Sequence, residues 1–173
     1  MELVATPSTV RLVLLLLAWR SAPRVAGMDE TKVVTASTTI PAAPEAVFEL
    51  IADPVRQLAW DGNDNLAASA PGQRVHAVGD VFVTTTTRGN DRYNHVVDFE
   101  EGRRIAWRPA AQGQAPFGHE WRWELAPTDE GRTLVTHTYD WRELTDESRY
   151  ERARSTTESN LRASLDRLAP LFG

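Results

Sequence analysis

The feature that most constrains this sequence is a long stretch in which apolar and polar residues alternate. From residue 65 to residue 141 the period is two, and turns that contain glycine interrupt it at short intervals. Alternation is typical of strands that bury one face, and closely spaced turns are typical of antiparallel hairpins. The stretch therefore predicts six antiparallel strands, near residues 65–70, 80–88, 92–100, 103–109, 117–127 and 132–141.

Residues on either side of this stretch predict one more strand and several helices. The β-branched run 33–40 ends at a proline, which is typical of a strand closed by a turn. Pro44 and Pro54 suit the first turns of two short helices. Residues 146–171 repeat apolar side chains at spacings of three and four, which predicts one long amphipathic helix. We therefore expect an α+β fold, in which a curved antiparallel sheet of about seven strands wraps around the C-terminal helix.

Composition excludes several classes of protein. With 173 residues the chain fits one domain, and the absence of cysteine excludes disulfides, thiolate metal sites and cysteine catalysis. The net charge of -5 disfavours nucleic acid as a partner, since a phosphate backbone attracts concentrated positive charge. The sequence has no glycine-rich phosphate loop and no histidine pair at metal-ligand spacing. We expect no cofactor, no metal and no nucleic acid, and a monomer because no zipper pattern is present.

The first 27 residues differ from the rest of the chain. Their apolar run, residues 12–19, has 8 residues, whereas a helix needs about 20 to span a bilayer, so stable membrane insertion is not expected. Three interpretations are open: an extension ahead of a true start at Met28, a weak signal or anchor segment, or a real appendage of the protein. We expect one ligand-binding domain over residues 28–173 in the cytoplasm, with secretion or anchoring as the alternative if the segment is a signal.

Several motifs carry a resemblance to a known superfamily. The run TIPAAPEAVFELIADP at residues 39–54, followed by Trp60, resembles the opening of the START/Bet v1-like (SRPBCC) superfamily, in particular its bacterial polyketide cyclase/dehydrase-like branch. The runs NHVVDF and IAWRP within residues 94–109 are similar to that family's central hairpin, and EWRWEL at 120–125 is similar to its penultimate strand. The resemblance covers residues 33–172. It implies a helix-grip fold and a small hydrophobic ligand in a cavity between the sheet and the C-terminal helix.

Strand alternation predicts which side chains line that cavity. In the strand predicted at residues 117–127 the odd positions Phe117, His119, Trp121 and Trp123 are aromatic, while the even positions Glu120, Arg122 and Glu124 are charged. The odd positions of this strand are therefore expected to face inward, and the same parity is applied to the strands around it. The residues expected to contact a ligand are Thr85, Tyr93, His95, Trp107, Phe117, His119, Trp121, Trp123, His137 and Tyr139.

Three of the four histidines fall on this inward parity, and three interpretations are open for them. Each makes one local hydrogen bond in a filled core, contacts a ligand, or moves a proton in a reaction. For catalysis the candidates are His119, His137 and Tyr139. Trp121 and Trp123 are either core residues or an aromatic platform for a ligand.

Two further features concern the mouth of the cavity. Arg88, Arg92 and Arg108 either surround it and receive a carboxylate, or are solvated charges at strand ends. The loop 110–116 and the loop after Trp60 are rich in small or polar residues. We expect little packing in these loops and a gating role for both.

Three functions fit these observations. The first is the binding or carriage of a small hydrophobic, ring-containing metabolite in an internal cavity. The second is a cyclase or aromatase in which the same cavity closes a poly-β-keto chain through a pocket histidine and Tyr139. The third is an accessory or regulatory partner protein with a filled core and no ligand. The resemblance does not choose between them, because a fold does not by itself determine an activity.

Overall fold

One open antiparallel sheet dominates the structure, a computed structural model that describes residues 30–173. Its seven strands are β1 (Val33–Ile40), β2 (Leu66–Ser69), β3 (Val81–Thr86), β4 (Asp91–Glu100), β5 (Arg104–Ala110), β6 (Glu120–Pro127) and β7 (Thr133–Asp140). Their order across the sheet is β1-β7-β6-β5-β4-β3-β2. Strands β2 to β7 therefore form the predicted meander, and β1 pairs with β7 along its whole length.

Two short helices follow β1, as the sequence predicts. They are α1 (Pro44–Ala52) and α2 (Pro54–Trp60), and each begins with a proline whose missing N–H would have no helical partner. The Asp53 side chain caps α2 by accepting a hydrogen bond of 3.3 Å from the Val55 N–H. Phe48 on α1 and Trp60 on α2 are buried in the core. Both helices are therefore fixed by their first turns and by one apolar face.

The C-terminal segment is divided where the sequence predicts one helix over residues 146–171. The structure has α3 (Tyr150–Arg154) and α4 (Glu158–Leu168), with single 3-10 turns before and after them. Between the two helices the Thr157 N–H donates to Asn160 Oδ1 at 2.9 Å, which satisfies a backbone donor at the start of α4. The helix-grip arrangement is thus confirmed, but the helix that the sheet grips is shorter than expected.

The core lies between the inner face of the sheet and α4. The apolar face of α4 consists of Leu161, Leu165 and Leu168, which are all buried, and the helix packs on β1, β7 and α2. Burial of each of these leucines contributes about 1.5–3 kcal/mol. At the edge of this contact the Arg162 guanidinium donates to the Ser37 carbonyl at 2.5 Å. The amphipathic pattern of the sequence is therefore used to hold the helix against the sheet.

The loop that follows α2 is packed tightly against α4, and the expectation of little packing there is wrong. The Gly62 N–H donates to Ser164 Oγ at 3.1 Å, and Asn63 Nδ2 donates to the Asn160 carbonyl at 2.9 Å. A Cβ atom at Gly62 would overlap the backbone of Ala163. The loop is therefore an anchor for α4. The gating role expected of the loop 110–116 stays a prediction.

Residues 1–27, interpreted above as an extension or a signal, lie outside the described residues. Residues Thr31–Gly173 form one compact unit. Within residues 30–173 no helix has the length and apolar character needed to cross a membrane.

Replacement of Gly62 by alanine is expected to lower the free energy of unfolding by about 2–3 kcal/mol, because α4 must move away to admit the methyl group. Chemical denaturation measures this loss. Gly72→Asn is the control, since Gly72 has open space around it and asparagine tolerates its positive φ of 81°. Equal losses for the two variants would contradict the close approach of Gly62 to α4.

Candidate functional site

A row of aromatic side chains crosses the inner face of β5, β6 and β7. Residues directly opposite each other in an antiparallel pair face the same side of the sheet. The register pairs Trp107 with Trp121, and Trp121 with Tyr139. Two residues further along β6, on the same face, Trp123 pairs with His137. The structure thus brings seven of the expected ligand-contacting residues to one face: Trp107, Phe117, His119, Trp121, Trp123, His137 and Tyr139.

The middle of this row is filled by protein side chains. The rings of Trp123 and His137 stack with centroids 3.8 Å apart and planes 12° apart. The ring of Trp60 packs edge-on against Trp123 at 5.0 Å. Trp123 is fully buried and His137 is 5% exposed. At this position the rings are core residues, which agrees with the first interpretation of the buried histidines.

His137 is held neutral by its surroundings. Burial lowers the pKa of His137 to about 3, and a hydrogen bond to the Leu161 backbone acts weakly in the opposite direction. Its Nδ1 atom is buried and has no hydrogen-bond partner within residues 30–173. An imidazole in this state is a poor proton acceptor near neutral pH. Of the two histidines proposed for catalysis in the row, His137 is therefore the less suitable.

The row opens at the start of β6, where Phe117, His119 and Trp121 are each partly exposed. The ring centroid of Tyr139 lies 4.4 Å from that of Trp121 and 5.7 Å from that of His119. Phe117 and His119 are nearly parallel, with centroids 6.1 Å apart. We call these four residues the aromatic end. Phe117, His119 and Trp121 form a surface of rings that a flat ligand can contact without displacing the core, and Tyr139, which is 4% exposed, packs behind them.

Gly118 makes this arrangement possible. It lies between Phe117 and His119, has a φ of 99°, and sits so close to the backbone of Glu143 that a Cβ atom would overlap it. A side chain there would be strained in backbone conformation and would also collide. Glycine therefore lets the chain bend while its two aromatic neighbours stay on the inner face.

Burial sets the charge states of His119 and Tyr139. It lowers the pKa of His119 to about 4, and the positive charges of Arg149, Arg152 and Arg92 act in the same direction. It raises the pKa of Tyr139 to about 12, against the opposing effects of Arg152 and Arg149 and of a hydrogen bond with Thr156. At neutral pH the imidazole is thus unprotonated and the phenol is protonated. His119 therefore has a free lone pair and Tyr139 has a proton to donate, although burial makes the imidazole a weaker base and the phenol a weaker acid than in water.

Three arginines surround the aromatic end. The guanidinium carbon of Arg149 lies 3.4 Å from the ring centroid of Phe117, and that of Arg92 lies 5.7 Å from the same centroid. Arg152 donates to Asn65 Oδ1 at 3.3 Å. We call Arg92, Arg149 and Arg152 the arginine cluster. Burial, together with repulsion from Arg149 and Arg152, lowers the pKa of Arg92, although it stays a cation at neutral pH.

Three of the expected ligand-contacting residues lie on the opposite face. A β-bulge at Val97 leaves that residue without a partner in β5, so the parity of β4 reverses at this point. Before the bulge Asn94 and Val96 are buried, whereas Tyr93 and His95 face outward. The paired strand β3 follows the same register: Phe82 and Thr84 are buried, and the Thr85 hydroxyl donates to Asp91 on the outer face. The inward orientation predicted for Tyr93, His95 and Thr85 is wrong.

Two of the three arginines predicted at the cavity mouth do not meet the aromatic end. Arg108 is bonded to Glu120 at 3.1 Å, on the outer face of the sheet. Arg88 lies exposed in the turn between β3 and β4. Arg92 is on the inner face, since it pairs with the buried Thr84.

The structure has a groove of about 250 Å³ at the other end of the strands. It is lined by Glu100, Arg103, Arg104, Glu124, Leu125, Ala126, Leu134 and Thr136. None of the expected ligand-contacting residues lines this groove. Its charged walls, with the Arg104–Glu100 ion pair at 2.5 Å, make it a poor site for an apolar ring.

The sequence arguments missed Arg149, Arg152 and Thr156. All three belong to the segment that was interpreted as part of a continuous helix, with its charged residues on a solvated face. The spacing of three between Arg149 and Arg152 places them on the same side of a helix, which is a signal that was available. Whether these two arginines reach the start of β6 depends on how the segment before α4 is placed, and the sequence alone does not determine that placement.

A family model matches this chain over residues 31–173, and the family is described as polyketide cyclase / dehydrase and lipid transport. The chain belongs to this family. The match confirms the resemblance found in the sequence. One curated relative, the uncharacterized protein Rv0088 of Mycobacterium tuberculosis, is 26% identical over 111 residues, which are 62% of this chain and 47% of that protein. The chain therefore spans about half the length of this relative.

Solved structures share the fold of the family. The chain is similar to protein MLL2253 of Mesorhizobium loti, with a TM-score of 0.59 and 18% identity over 80% of this chain and 95% of that one. It is also similar to XoxI of Bacillus cereus, with a TM-score of 0.58 and 18% identity over 81% and 94% of the two chains. For the Aha1 dimer of Colwellia psychrerythraea the TM-score is 0.55, at 19% identity over 81% and 95%. At these identities the likeness shows the fold alone.

The free energy of unfolding is expected to fall as the pH drops below 6.5, the ordinary pKa of histidine. Below this pH His137 and His119 bind protons in the unfolded chain but remain unprotonated in the folded protein. The stabilisation is complete above that pH and is lost progressively as the pH falls towards 3. For His137 the loss between pH 6.5 and pH 5 is about 2 kcal/mol.

Urea denaturation at several pH values between 7 and 5 measures this slope. We expect His137→Gln to reduce it, whatever that variant does to the absolute stability. His95→Gln, on the outer face of β4, is the control and should keep the slope of the wild type. An unchanged slope in His137→Gln would contradict the neutral, enclosed state of this ring.

Proposed function

We propose that this protein binds a small hydrophobic, ring-containing molecule at the aromatic end of its interior. The observation that carries the proposal is the partly exposed row of Phe117, His119 and Trp121 beside Tyr139, on the inner face of the sheet. Large aromatic side chains that stay partly exposed on a face which is otherwise buried are typical of a binding surface. Membership of a family described by cyclases, dehydrases and lipid transport supports this kind of ligand.

The position of the ligand follows from the packing of the interior. The middle of the row is occupied by Trp60, Trp123 and His137, with ring centroids 3.8 and 5.0 Å apart. Removing such side chains from a close-packed core costs several kcal/mol. A ligand therefore binds beside this core and leaves it intact. It lies between the inner face at β6 and the segment of Arg149 to Thr156, whose side chains already contact Phe117 and Tyr139.

The proposal is tested by calorimetric titration of the full chain with naphthalene-2-carboxamide and naphthalene-2-carboxylate, two flat probes of the same size. Trp121→Ala is expected to weaken the binding of both probes about tenfold, because it removes the largest ring of the aromatic end. Tyr93→Ala is the matched control: it removes an aromatic ring from the outer face and should change the affinity less than twofold. Equal effects of the two variants, or no binding of either probe, would contradict the proposed site.

A second candidate function is a cyclase that uses the same site. The observation in its favour is the geometry of the pair His119 and Tyr139, in which a neutral imidazole lies beside a protonated phenol with ring centroids 5.7 Å apart. In an aldol closure the neutral imidazole of His119 removes a proton from a carbon next to a ketone. A bond then forms from that carbon to a second carbonyl carbon, whose oxygen receives a proton from the Tyr139 hydroxyl. Loss of water and enolisation of the remaining ring ketones then give the aromatic ring, and the proton taken up by His119 returns to the Tyr139 oxygen.

Carriage and catalysis are distinguished by substitutions that remove a proton-transfer group, because only an enzyme would lose turnover. If the protein is a cyclase, Tyr139→Phe and His119→Ala should each lower the turnover of a poly-β-keto thioester at least a hundredfold. Tyr139→Phe, which keeps the ring, should change the affinity for naphthalene-2-carboxamide less than threefold. Formation of the aromatic product, followed by its absorbance, is the measurement. Turnover that survives both substitutions, or is absent in the wild type, leaves binding as the function.

A further inference from the structure

The arginine cluster carries more positive charge than the protein itself neutralises. Arg149 is bonded to Asp146 at 3.1 Å. Among residues 30–173 neither Arg92 nor Arg152 forms an ion pair: Arg92 donates to the Asp91 carbonyl, and Arg152 donates to Asn65. The rest of the described chain is rich in arginine–carboxylate pairs, as at Arg104, Arg122 and Arg167. Arg92 is partly buried on the inner face and Arg152 is exposed at its rim, and the lack of a carboxylate partner for both among the described residues is a departure from the pattern of this molecule.

Placing these charges together has a cost in free energy. Arg92 is on the inner face, where burial and repulsion by Arg149 and Arg152 oppose its charge. The rings of Phe117 and His119 next to it offer no negative group, and His119 is itself kept neutral by burial and by the same charges. An anion that bound there would relieve the repulsion and gain charge-assisted hydrogen bonds.

We infer that the ligand of the aromatic end is an anion, an aromatic or polycyclic carboxylate whose charged group is bound by Arg92, Arg149 and Arg152 while its rings lie on His119 and Trp121. This inference rests on the proposed function and adds the chemical class of the ligand. Guanidinium groups bind carboxylates with two parallel hydrogen bonds, and the contact of Arg149 and Arg92 with the Phe117 ring limits the movement of their side chains. The charges lie beside the rings, as a short carboxylate on a flat ligand requires.

A matched pair of probes separates this inference from the proposed function. Naphthalene-2-carboxylate and naphthalene-2-carboxamide have the same ring and nearly the same size, and they differ in charge. Calorimetric titration of the full chain at pH 7 is expected to give an affinity about tenfold higher for the carboxylate. Added sodium chloride should weaken the binding of the carboxylate and leave that of the amide unchanged, because salt screens partly exposed charges.

Variants show which side chains cause the preference for the carboxylate. Arg92→Gln combined with Arg149→Gln should reduce the ratio of the two affinities, carboxylate over amide, from about tenfold to less than about threefold, whatever the substitutions do to the affinity for the amide itself. Arg103→Gln is the control, since it removes the same charge from a side chain that is 69% exposed at the β4–β5 turn. Circular dichroism and the midpoint of thermal unfolding show whether each variant is folded. Should the double variant be unfolded, Arg92→Gln alone is expected to lose at least half of the preference.

Each outcome has one meaning. A carboxylate preference that disappears in the arginine variants and persists in Arg103→Gln supports the inference. Equal binding of the two probes by the wild type, or tighter binding of the amide, overturns the inference and leaves the proposed function standing. A preference that survives in the folded double variant also overturns it, because another part of the protein then recognises the charge. If neither probe binds, the proposed function fails, and the inference fails with it.

Discussion

The close approach of α4 to the loop after α2 is the contact on which the rest of the structure depends. Gly62 has no side chain, so its backbone can lie directly against Ala163 and donate to Ser164. This contact sets the distance between α4 and the inner face of the sheet. At that distance Leu161 and Leu165 reach the core, and Trp60 is carried by α2 into contact with Trp123. The filled middle of the interior is thus a consequence of where α4 is anchored.

The end of the interior is different because α4 does not extend over it. The helix begins at Glu158, and the preceding segment contributes polar and charged side chains in place of leucines. Arg149 lies over Phe117, and Thr156 is bonded to Tyr139. One face of the sheet therefore has two environments: an apolar middle that stabilises the fold, and an aromatic end in which burial and nearby cations control the charge of His119. The first environment holds most of the buried apolar side chains, and the second is the surface that we propose for binding.

The family and the fold define what kind of protein this is, and the side chains at the aromatic end define what it can bind. The neighbouring structures share the sheet and the helix at 17–22% identity, which is a likeness of backbone. The centre of the inner face has no room for a ligand, because the stacked rings of Trp123 and His137 fill it. The ligand proposed here lies beside the core. Its recognition depends on Trp121 for the ring and on the arginine cluster for the charge.

The sequence by itself determined the strands, because alternation and glycine turns are local signals, and it placed the inner faces of β6 and β7 correctly at Trp121, Trp123 and His137. The tertiary structure decided the face of β4, where one extra residue at Val97 reverses the parity and turns His95 outward. A bulge is a property of two paired strands and leaves no mark in either one. The meeting of Arg92 with Arg149 was decided in the same way, since these residues lie far apart in the chain and come together only when the turn before α3 brings Arg149 onto the Phe117 ring. Local patterns specify elements, while the register and docking of those elements specify the site.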